Sequence, residues 1–410
     1  MTDAVHIEDL ARPTFSPEVV EMFAAMGSMA DDCPLDARWM HARAREETGL
    51  SDFGPRDYEE RLEVLLGALA AVDPMTPAGR VVFVTQLVQL LKNRLLLTDL
   101  LARHPEIHDI ELEPPVVIVG LPRTGTTHLH NLLAADPALR SLPYWESLEP
   151  VPLPAEVGVE PDPRRVRCDA GVWFMHQAMP LFPRMHEMTT DHVHEEIQLL
   201  AVDFSTMFFE TLAPVPAWRA YYGSHDQAPH YRYLRTMLQA LGFLRGGDRW
   251  VLKSPQHLEQ LPALSAVFPG ATAVVTHRDP VDIVVSMATM ITYSARMYTD
   301  RVDTGALGRS WADRIDDLLG ACMRDRHAFD GRHSLDVRFA DFMDDELGTV
   351  RSVYEVAGQR FDDRAEQAMA AYLASHERGR LGTIDYRAAD VGLDVDELRA
   401  RFAPYVERFL

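Results

Sequence analysis

The chain has 410 residues, and at about 150 residues per domain this length suits two or three domains, or one large α/β domain with insertions. Its 40 basic and 62 acidic side chains leave a net charge of −22. This acidity argues against general binding to nucleic acid or to an anionic membrane surface, because both need net positive patches. An apolar fraction of 47% argues against a disordered chain.

Neither a targeting segment nor a membrane span is predicted. The first residues, MTDAVHIEDLARP, are acidic and lack the basic and then apolar pattern of a signal peptide. The most apolar stretch follows Pro77, but polar residues interrupt it before the roughly 18 residues that a span needs, so it indicates an amphipathic core helix. Cys33, Cys168 and Cys322 lie far apart and support neither a zinc site nor a disulfide framework. We therefore expect a cytoplasmic protein.

Four short segments have the composition of strands in a parallel sheet. The first is VVIVG, an apolar run of the kind found in strands buried on both faces. Three others follow at 249–252, 272–276 and 334–338, and each precedes a segment with helical spacing. Strands that alternate with helices predict an α/β fold with a central parallel sheet flanked by helices.

The remaining segments read as helical additions to this sheet. Apolar side chains recur at helical spacing over 17–105, which predicts a helical N-terminal extension at 1–110 and an α/β domain at 111–410. Within that domain we expect a helical insertion at about 150–245, which is rich in Met and aromatic residues, and a C-terminal cap at about 375–410.

A candidate anion-binding loop follows the first strand, in the sequence LPRTGTTHLHNLLAADP. A helix that starts near Gly125 and Thr126 would point free backbone N–H groups and the positive end of its dipole at one spot. Arg123, Thr124 and Thr127 add a cation and hydroxyls. The loop lacks the Walker A lysine, because Thr126 stands in its place. The alternative is a tight turn with no ligand.

The segment PRTGTT resembles the 5′-phosphosulfate loop of sulfotransferases that use 3′-phosphoadenylyl sulfate (PAPS). Arginine in the second position is similar to the tyrosylprotein branch and to several bacterial branches. The resemblance implies a P-loop-like sulfotransferase fold and a phosphosulfate site. The residues it places there are Arg123, Thr124, Gly125, Thr126, Thr127 and His128.

A second candidate anion site follows the strand at 272–276. The segment THRDPVDIVVSM resembles the 3′-phosphate motif of the same family, with Arg278 and Ser286 at the matching spacing. An arginine at the carboxyl end of a strand suits a phosphate monoester. The alternative is a helix cap beside a surface arginine. Weaker resemblances place Phe339 near the adenine, and Arg380 and Gly382 in a loop over the 3′-phosphate.

Sulfuryl transfer needs positioned cations and a general base for the acceptor hydroxyl. Arg123 and Lys253 are the candidate cations, since RWVLKSPQH resembles the strand that carries the family's catalytic lysine. The base is open. In cytosolic members a histidine stands two residues after this lysine, but here Pro255 does, and His257 comes later.

The first candidate base is Glu146, which matches the glutamate of tyrosylprotein and some bacterial members, and we expect it partly buried beside the two cations. The run HEMTTDHVHEEIQLL offers His192, His194 or Glu195 as alternatives. No standard zinc spacing occurs in it, so no metal is expected.

These motifs predict a PAPS-dependent sulfotransferase that releases 3′,5′-adenosine bisphosphate. The insertion lies where an acceptor lid would have to be, and its Met and aromatic side chains favour a hydrophobic small molecule or lipid as acceptor. A nucleotide-dependent kinase and a non-catalytic nucleotide-binding protein are the alternatives. No nucleic-acid partner is expected, and a homo-oligomer is left open.

Overall fold

The computed structural model describes residues 4–247, 249–329, 331–377 and 379–410. Its N-terminal region is mainly helical, as the sequence predicts, apart from one short strand. The elements of this region are β1 (Ala4–Val5), α1 (Pro17–Gly27), α2 (Ala37–Thr48), α3 (Tyr58–Ala70) and α4 (Pro77–Arg103). The start of α4 is fixed by Thr76, whose side chain accepts a hydrogen bond from the backbone of Gly79 and precedes a proline in the first turn.

The α/β core begins after this region and is interrupted by a helical insertion. Its first elements are β2 (Val116–Val119), α5 (Thr126–Ala134), β3 (Leu139–Arg140) and α6 (Tyr144–Leu148). The insertion contains α7 (Pro163–Ala178), α8 (Phe182–Met185), α9 (Ile197–Ala201), α10 (Phe208–Leu212), α11 (Pro216–Gly223) and α12 (Ala228–Arg245).

The chain then returns to the sheet and ends in helices. The strands of this part and the helices between and after them are β4 (Arg249–Ser254), α13 (Leu261–Val267), β5 (Thr272–His277), α14 (Pro280–Ser294), α15 (Thr304–Asp325), β6 (Ser334–Arg338) and α16 (Phe339–Asp344). The last elements are α17 (Glu346–Ala357), α18 (Asp363–Ser375), β7 (Thr383–Ile384) and α19 (Val395–Phe409).

The five central strands form a parallel sheet in the order β3-β4-β2-β5-β6. Strands β2, β4 and β5 are buried along their whole length, which explains the apolar residues VVIV of β2, WVL of β4 and AVV of β5. The predicted fold class is therefore confirmed. Because all five strands are parallel, their carboxyl ends meet at one edge, where β2 leads into the anion loop and β4 carries Lys253.

A second, smaller apolar cluster joins the two ends of the chain. Strand β1 pairs in parallel with β7, a contact for which the sequence carries no local signal. Around this pair the buried side chains of the Met-rich cluster, as we call it, are Ile7, Leu10, Val19, Ala178, Met179, Met185, Tyr293 and Ile384. The N-terminal segment, the start of the insertion and the C-terminal segment therefore pack together.

Helix α4 is the one helix among the described residues that is long and apolar enough to cross a membrane by length and composition. In the structure, 67% of its most apolar window is buried inside the protein. It packs against α2 and carries the buried polar side chains Asn93 and Arg94. The predicted core helix is thus confirmed.

Candidate functional site

The loop between β2 and α5 has the tight shape that an anion site requires. Gly125 has a φ of +84° and Arg123 a φ of +70°, so the backbone turns twice through the left-handed region. The hydroxyl of Thr124 donates to the carbonyl of Leu121 at 2.6 Å and contacts the hydroxyl of Thr276 at 2.7 Å. The turn is therefore tied to β5, and α5 begins directly behind it at Thr126.

The loop also packs closely against its neighbours. A Cβ atom on Gly125 would lie 3.1 Å from the ring of Phe339, and one on Gly120 would lie 2.0 Å from the hydroxyl of Thr276. Both positions therefore exclude a side chain. The sequence-predicted Phe339 lies directly beside the loop, as expected for a ring that borders a bound nucleotide.

The second motif converges on the same loop. Arg278 donates from Nη1 to the backbone carbonyl of Arg123 at 2.8 Å, and its guanidinium carbon lies 4.6 Å from the centre of the Phe339 ring. Ser286 is buried on α14, and its Oγ has no hydrogen-bond partner in the part of the chain that the structure describes. A buried hydroxyl without a partner is costly, so it suits contact with a bound polar group.

Lys253 is the buried cation at this edge of the sheet. Its side chain is only 3% exposed, and its Nζ donates to a Glu195 carboxylate oxygen at 2.5 Å and to the Thr127 hydroxyl at 3.2 Å. Thr127 lies in the first turn of α5. The ammonium is thus held between a carboxylate and the helix end that forms the anion loop.

A buried network supports Lys253 from behind. Glu196 accepts a hydrogen bond from the backbone N–H of Lys253 at 2.9 Å, and its other oxygen contacts Nε2 of His257. The hydroxyl of Tyr231 lies 2.7 Å from Nδ1 of His257. Burial alone would raise the pKa of Glu196, but His257 and these hydrogen bonds hold it below its ordinary value. His257 is fully buried in this network and does not contact the Lys253 ammonium.

Three histidines line the other side of the site. The ring of His192 lies 5.4 Å from that of His186 and 5.8 Å from that of His194, between centres. Burial lowers the pKa of His192 to about 4, and the charge of Lys253 acts in the same direction. Burial likewise holds the pKa of His186 and His194 well below the ordinary value. These rings are therefore neutral at physiological pH.

The Met-rich cluster contacts the anion loop at Arg123. Nη1 of Arg123 donates to the carbonyl of Met185 at 2.5 Å, and the guanidinium carbon lies 5.9 Å from the centre of the Tyr386 ring. Arg123 is thus held between the loop and the C-terminal segment. The predicted cations Arg123 and Lys253 border one region. His186 of the insertion lies within reach of both, because each positive charge adds to the effect of burial in lowering the pKa of His186.

Glu146 lies elsewhere. Its side chain is fully buried and pairs with Arg140 at 2.6 Å and with Arg245 at 2.9 Å. Arg140 is aligned with Trp250 in the sheet, three residues before Lys253 along β4, which corresponds to about 10 Å. The prediction of a partly buried Glu146 beside the two cations is therefore wrong, because its fully buried carboxylate pairs with Arg140 and Arg245 instead.

The remaining predicted residues divide into two groups. His128 faces away from the loop, with Nε2 at 3.0 Å from a Glu346 carboxylate oxygen. Arg380 pairs with Glu187 at 2.6 Å, close in sequence to the Met185 carbonyl that Arg123 contacts. Gly382 has a φ of +85°, and a Cβ there would lie 2.8 Å from the Arg184 guanidinium. The C-terminal loop thus contacts the segment beside Arg123.

Two contacts of the anion loop could not be predicted from the motifs. The Met185 carbonyl and the Thr276 hydroxyl reach the loop only through the folded chain, and no local pattern marks them. The two adjacent glutamates before α9 are visible in the sequence. That Glu196 accepts a hydrogen bond from the backbone of Lys253 is known only from the fold. Within the described ranges, no group of three or more His, Cys, Asp or Glu side chains could hold a metal ion.

Comparison with known proteins agrees with this geometry. The model of the Sulfotransferase family matches residues 114–363. The crystal structure of sulfotransferase STF1 from Mycobacterium tuberculosis H37Rv has 32% sequence identity and a TM-score of 0.79, with 90% of this chain and 98% of that chain covered. Sulfotransferase STF9 from Mycobacterium avium has 27% identity and a TM-score of 0.81, with coverages of 92% and 97%.

The name of a further relative states the acceptor of that protein. The omega-hydroxy-beta-dihydromenaquinone-9 sulfotransferase Stf3 from Mycobacterium bovis is 26% identical over 301 residues. The match covers 70% of this chain and 71% of that protein.

Proposed function

The chain belongs to the sulfotransferase family, and we propose that it moves a sulfuryl group from PAPS to a hydroxyl of a hydrophobic small molecule or lipid. The observation that carries this proposal is the buried ammonium of Lys253, which lies beside the first turn of the helix that follows the anion loop. Family membership rules out the kinase alternative and favours an enzyme over a passive nucleotide-binding protein.

The residues at this edge fit an anionic nucleotide. Arg123 and the backbone N–H groups before Thr126 would hold the phosphosulfate, while Arg278 and Ser286 would hold the 3′-phosphate beside Phe339. The fit rests on the unpartnered Ser286 hydroxyl and on a loop that excludes any Cβ at Gly125. When bound, PAPS supplies a sulfuryl group on a phosphate leaving group.

Lys253 and Glu195 supply the chemistry of the chain itself. The ammonium stabilises negative charge that develops on the transferring group, and its burial strengthens that interaction. We assign the general base to Glu195, because its carboxylate contacts Lys253 and is 19% exposed, whereas Glu146 is enclosed by two arginines. His192 is the alternative base, although burial lowers its pKa to about 4 and so makes it a weaker base than an ordinary histidine.

An apolar acceptor is supported by the side chains next to Arg123. Met185 belongs to the Met-rich cluster, and the partly buried residues packed against that cluster are mostly Met and aromatic. Methionine and aromatic side chains adapt to an apolar ligand without charge. The relative Stf3, whose name gives a hydroxylated menaquinone as acceptor, makes a lipid alcohol the first acceptor class to test.

Two measurements test the proposal in sequence. Thermal shift should show stronger stabilisation by 3′,5′-adenosine bisphosphate than by ADP or AMP, without added divalent metal. Radiolabelled donor should then transfer label to a long-chain lipid alcohol. Equal stabilisation by AMP and the bisphosphate would contradict the 3′-phosphate site. Label transfer to a polar alcohol but never to a lipid alcohol would contradict the acceptor class.

A further inference from the structure

The exposed large apolar side chains of this protein are concentrated on one helix and the loop before it. Nine such side chains occur in the described part of the chain, and four of them lie between residues 157 and 173. They are Val157, Val159, Val166 and Trp173, with exposed fractions of 69%, 44%, 54% and 57%. We call these four residues the apolar face.

Two residues of the apolar face, Val166 and Trp173, lie on one side of helix α7. Val166 and Trp173 are seven residues apart, and the exposed Ala170 lies between them, so the three form one stripe of two turns. The opposite stripe is buried at Arg164 and Cys168. A stripe of valine, alanine and tryptophan that points to solvent has no partner within the described chain.

The arginines around the apolar face are all engaged in ion pairs. Arg167 binds Glu149 at 2.7 Å and Glu156 at 2.5 Å, which also ties the loop of Val157 to α7. Arg165 binds Asp191 at 2.6 Å. The arginines of this helix are therefore not free to bind an anionic surface. The face offers apolar contact inside an acidic rim, because Arg167 is shared by two glutamates.

The same helix also packs towards the Met-rich cluster. Met175 packs against the Met-rich cluster, and the ring of Phe174 lies 5.8 Å from that of Phe23 on α1. That cluster ends at Met185, whose carbonyl contacts Arg123. The helix that carries Val166 and Trp173 therefore also packs on the cluster that reaches Arg123.

We infer that the apolar face rests on the surface of a lipid bilayer that holds the acceptor. This inference depends on the proposed function for its purpose, because a lipid acceptor has to leave a membrane to reach Arg123. Exposed tryptophan and aliphatic side chains on an amphipathic helix suit the interfacial region of a bilayer. A second copy of the chain suits the face less, because each copy carries a net charge of −22.

The test is sedimentation with phosphatidylcholine vesicles, in the absence of donor and acceptor. The wild-type protein should bind, and the double variant Val166→Ser, Trp173→Ser should lose about tenfold or more of its partition coefficient. Binding should weaken when half of the lipid is phosphatidylglycerol, since the protein is acidic. The matched control is Phe243→Ser on α12, an exposed aromatic residue away from the face, which should bind like wild type.

Quenching of tryptophan fluorescence by brominated phosphatidylcholine tests whether Trp173 contacts the bilayer. It should quench tryptophan fluorescence in the wild type, and Trp173→Phe should remove most of that quenching, because the five other tryptophans are less exposed. Absence of vesicle binding, or equal binding by the double variant, would overturn the inference. Self-association that the double variant abolishes would instead assign the face to a contact between copies.

These outcomes stay separate from the proposed function. Transfer of label to a short-chain alcohol in solution should be the same in the double variant and in wild type, because neither residue touches the site. If vesicle binding holds while no alcohol is sulfated, the proposed function fails and the membrane contact stands. If transfer holds but vesicles are not bound, only the membrane contact fails.

Discussion

Arg278 donates a hydrogen bond from its guanidinium to the backbone carbonyl of Arg123 at 2.8 Å, and this bond joins two anion motifs that are 155 residues apart in the chain. The same guanidinium lies over the ring of Phe339. One side chain therefore fixes the anion loop, packs on the Phe339 ring and adds positive charge. Loss of Arg278 should affect nucleotide binding more than the loss of an ordinary surface arginine.

We predict that Arg278→Ala weakens binding of 3′,5′-adenosine bisphosphate by about 1.5–3 kcal/mol, the size of a charge-assisted hydrogen bond. Isothermal titration calorimetry measures this change. Arg338→Ala is the matched control, because Arg338 also ends a strand of the sheet but contacts the carbonyl of Phe409 at 3.1 Å. An affinity loss of equal size in both variants would contradict a specific role for Arg278.

Gly125→Val should abolish bisphosphate binding while the protein stays folded. The φ of +84° costs a β-carbon residue about 1–2 kcal/mol. The new Cβ would also lie 3.1 Å from the Phe339 ring, so the anion loop or the ring would have to shift. Gly49→Val is the control, since Gly49 has a φ of +70° with nothing within 4 Å. It should lose similar stability in thermal unfolding but keep its affinity. Normal affinity in folded Gly125→Val would remove the loop from the site.

The sheet is predictable from sequence because strands buried on both faces read as apolar runs. Val116–Val119 and Thr272–His277 are such runs, and both occur where the sequence predicts strands. The two-residue strands are missed, since two residues show no periodicity. The pairing of β1 with β7 joins the two ends of the chain, and no local pattern records so distant a contact.

The site is only partly predictable for the same reason. Arg123, Lys253 and Arg278 follow strands, so their meeting at one sheet edge follows from topology. A base that comes from a loop has no such rule. Glu146 pairs with Arg140 and Arg245, while Glu195 pairs with Lys253, and no sequence pattern marks either pairing.

A buried carboxylate outside the site gives the protein a defined pH dependence. Asp203 accepts hydrogen bonds from Arg61 and Arg94 and contacts His230 at 2.6 Å. Burial alone would raise the pKa of Asp203, but these partners lower it below the ordinary value. The unfolded chain therefore binds this proton more readily. The stabilisation is complete above the unfolded pKa of about 4 and is lost as the pH falls towards the folded value.

Asp203→Asn should consequently be less stable than wild type at pH 7, and the difference should shrink as the pH falls below about 5. Urea unfolding at a series of pH values measures it. Asp317→Asn is the control, because Asp317 is 62% exposed. A constant difference between Asp203→Asn and wild type at every pH would show that the ionised carboxylate is not what stabilises the fold.

Glu146→Gln should lower the free energy of unfolding by about 3 kcal/mol, because it leaves the charges of Arg140 and Arg245 without a buried counter-charge. Turnover per folded molecule should stay within a few-fold of wild type. Urea unfolding and turnover at saturating donor measure the two effects. A stable Glu146→Gln protein with little turnover would return the role of base to Glu146.

Glu195→Gln should show the opposite behaviour. The carboxylate of Glu195 contacts the Lys253 ammonium at the surface of the site, so its loss removes the proton acceptor but leaves the residues assigned to the nucleotide in place. We expect turnover to fall by roughly 10²–10⁴-fold, while calorimetry gives bisphosphate affinity close to that of wild type. Glu366→Gln is the matched control, since Glu366 pairs with Arg351 outside the candidate site and the variant should keep its turnover. If Glu195→Gln retains turnover, the proton passes to another group, and His192→Asn becomes the next variant to measure.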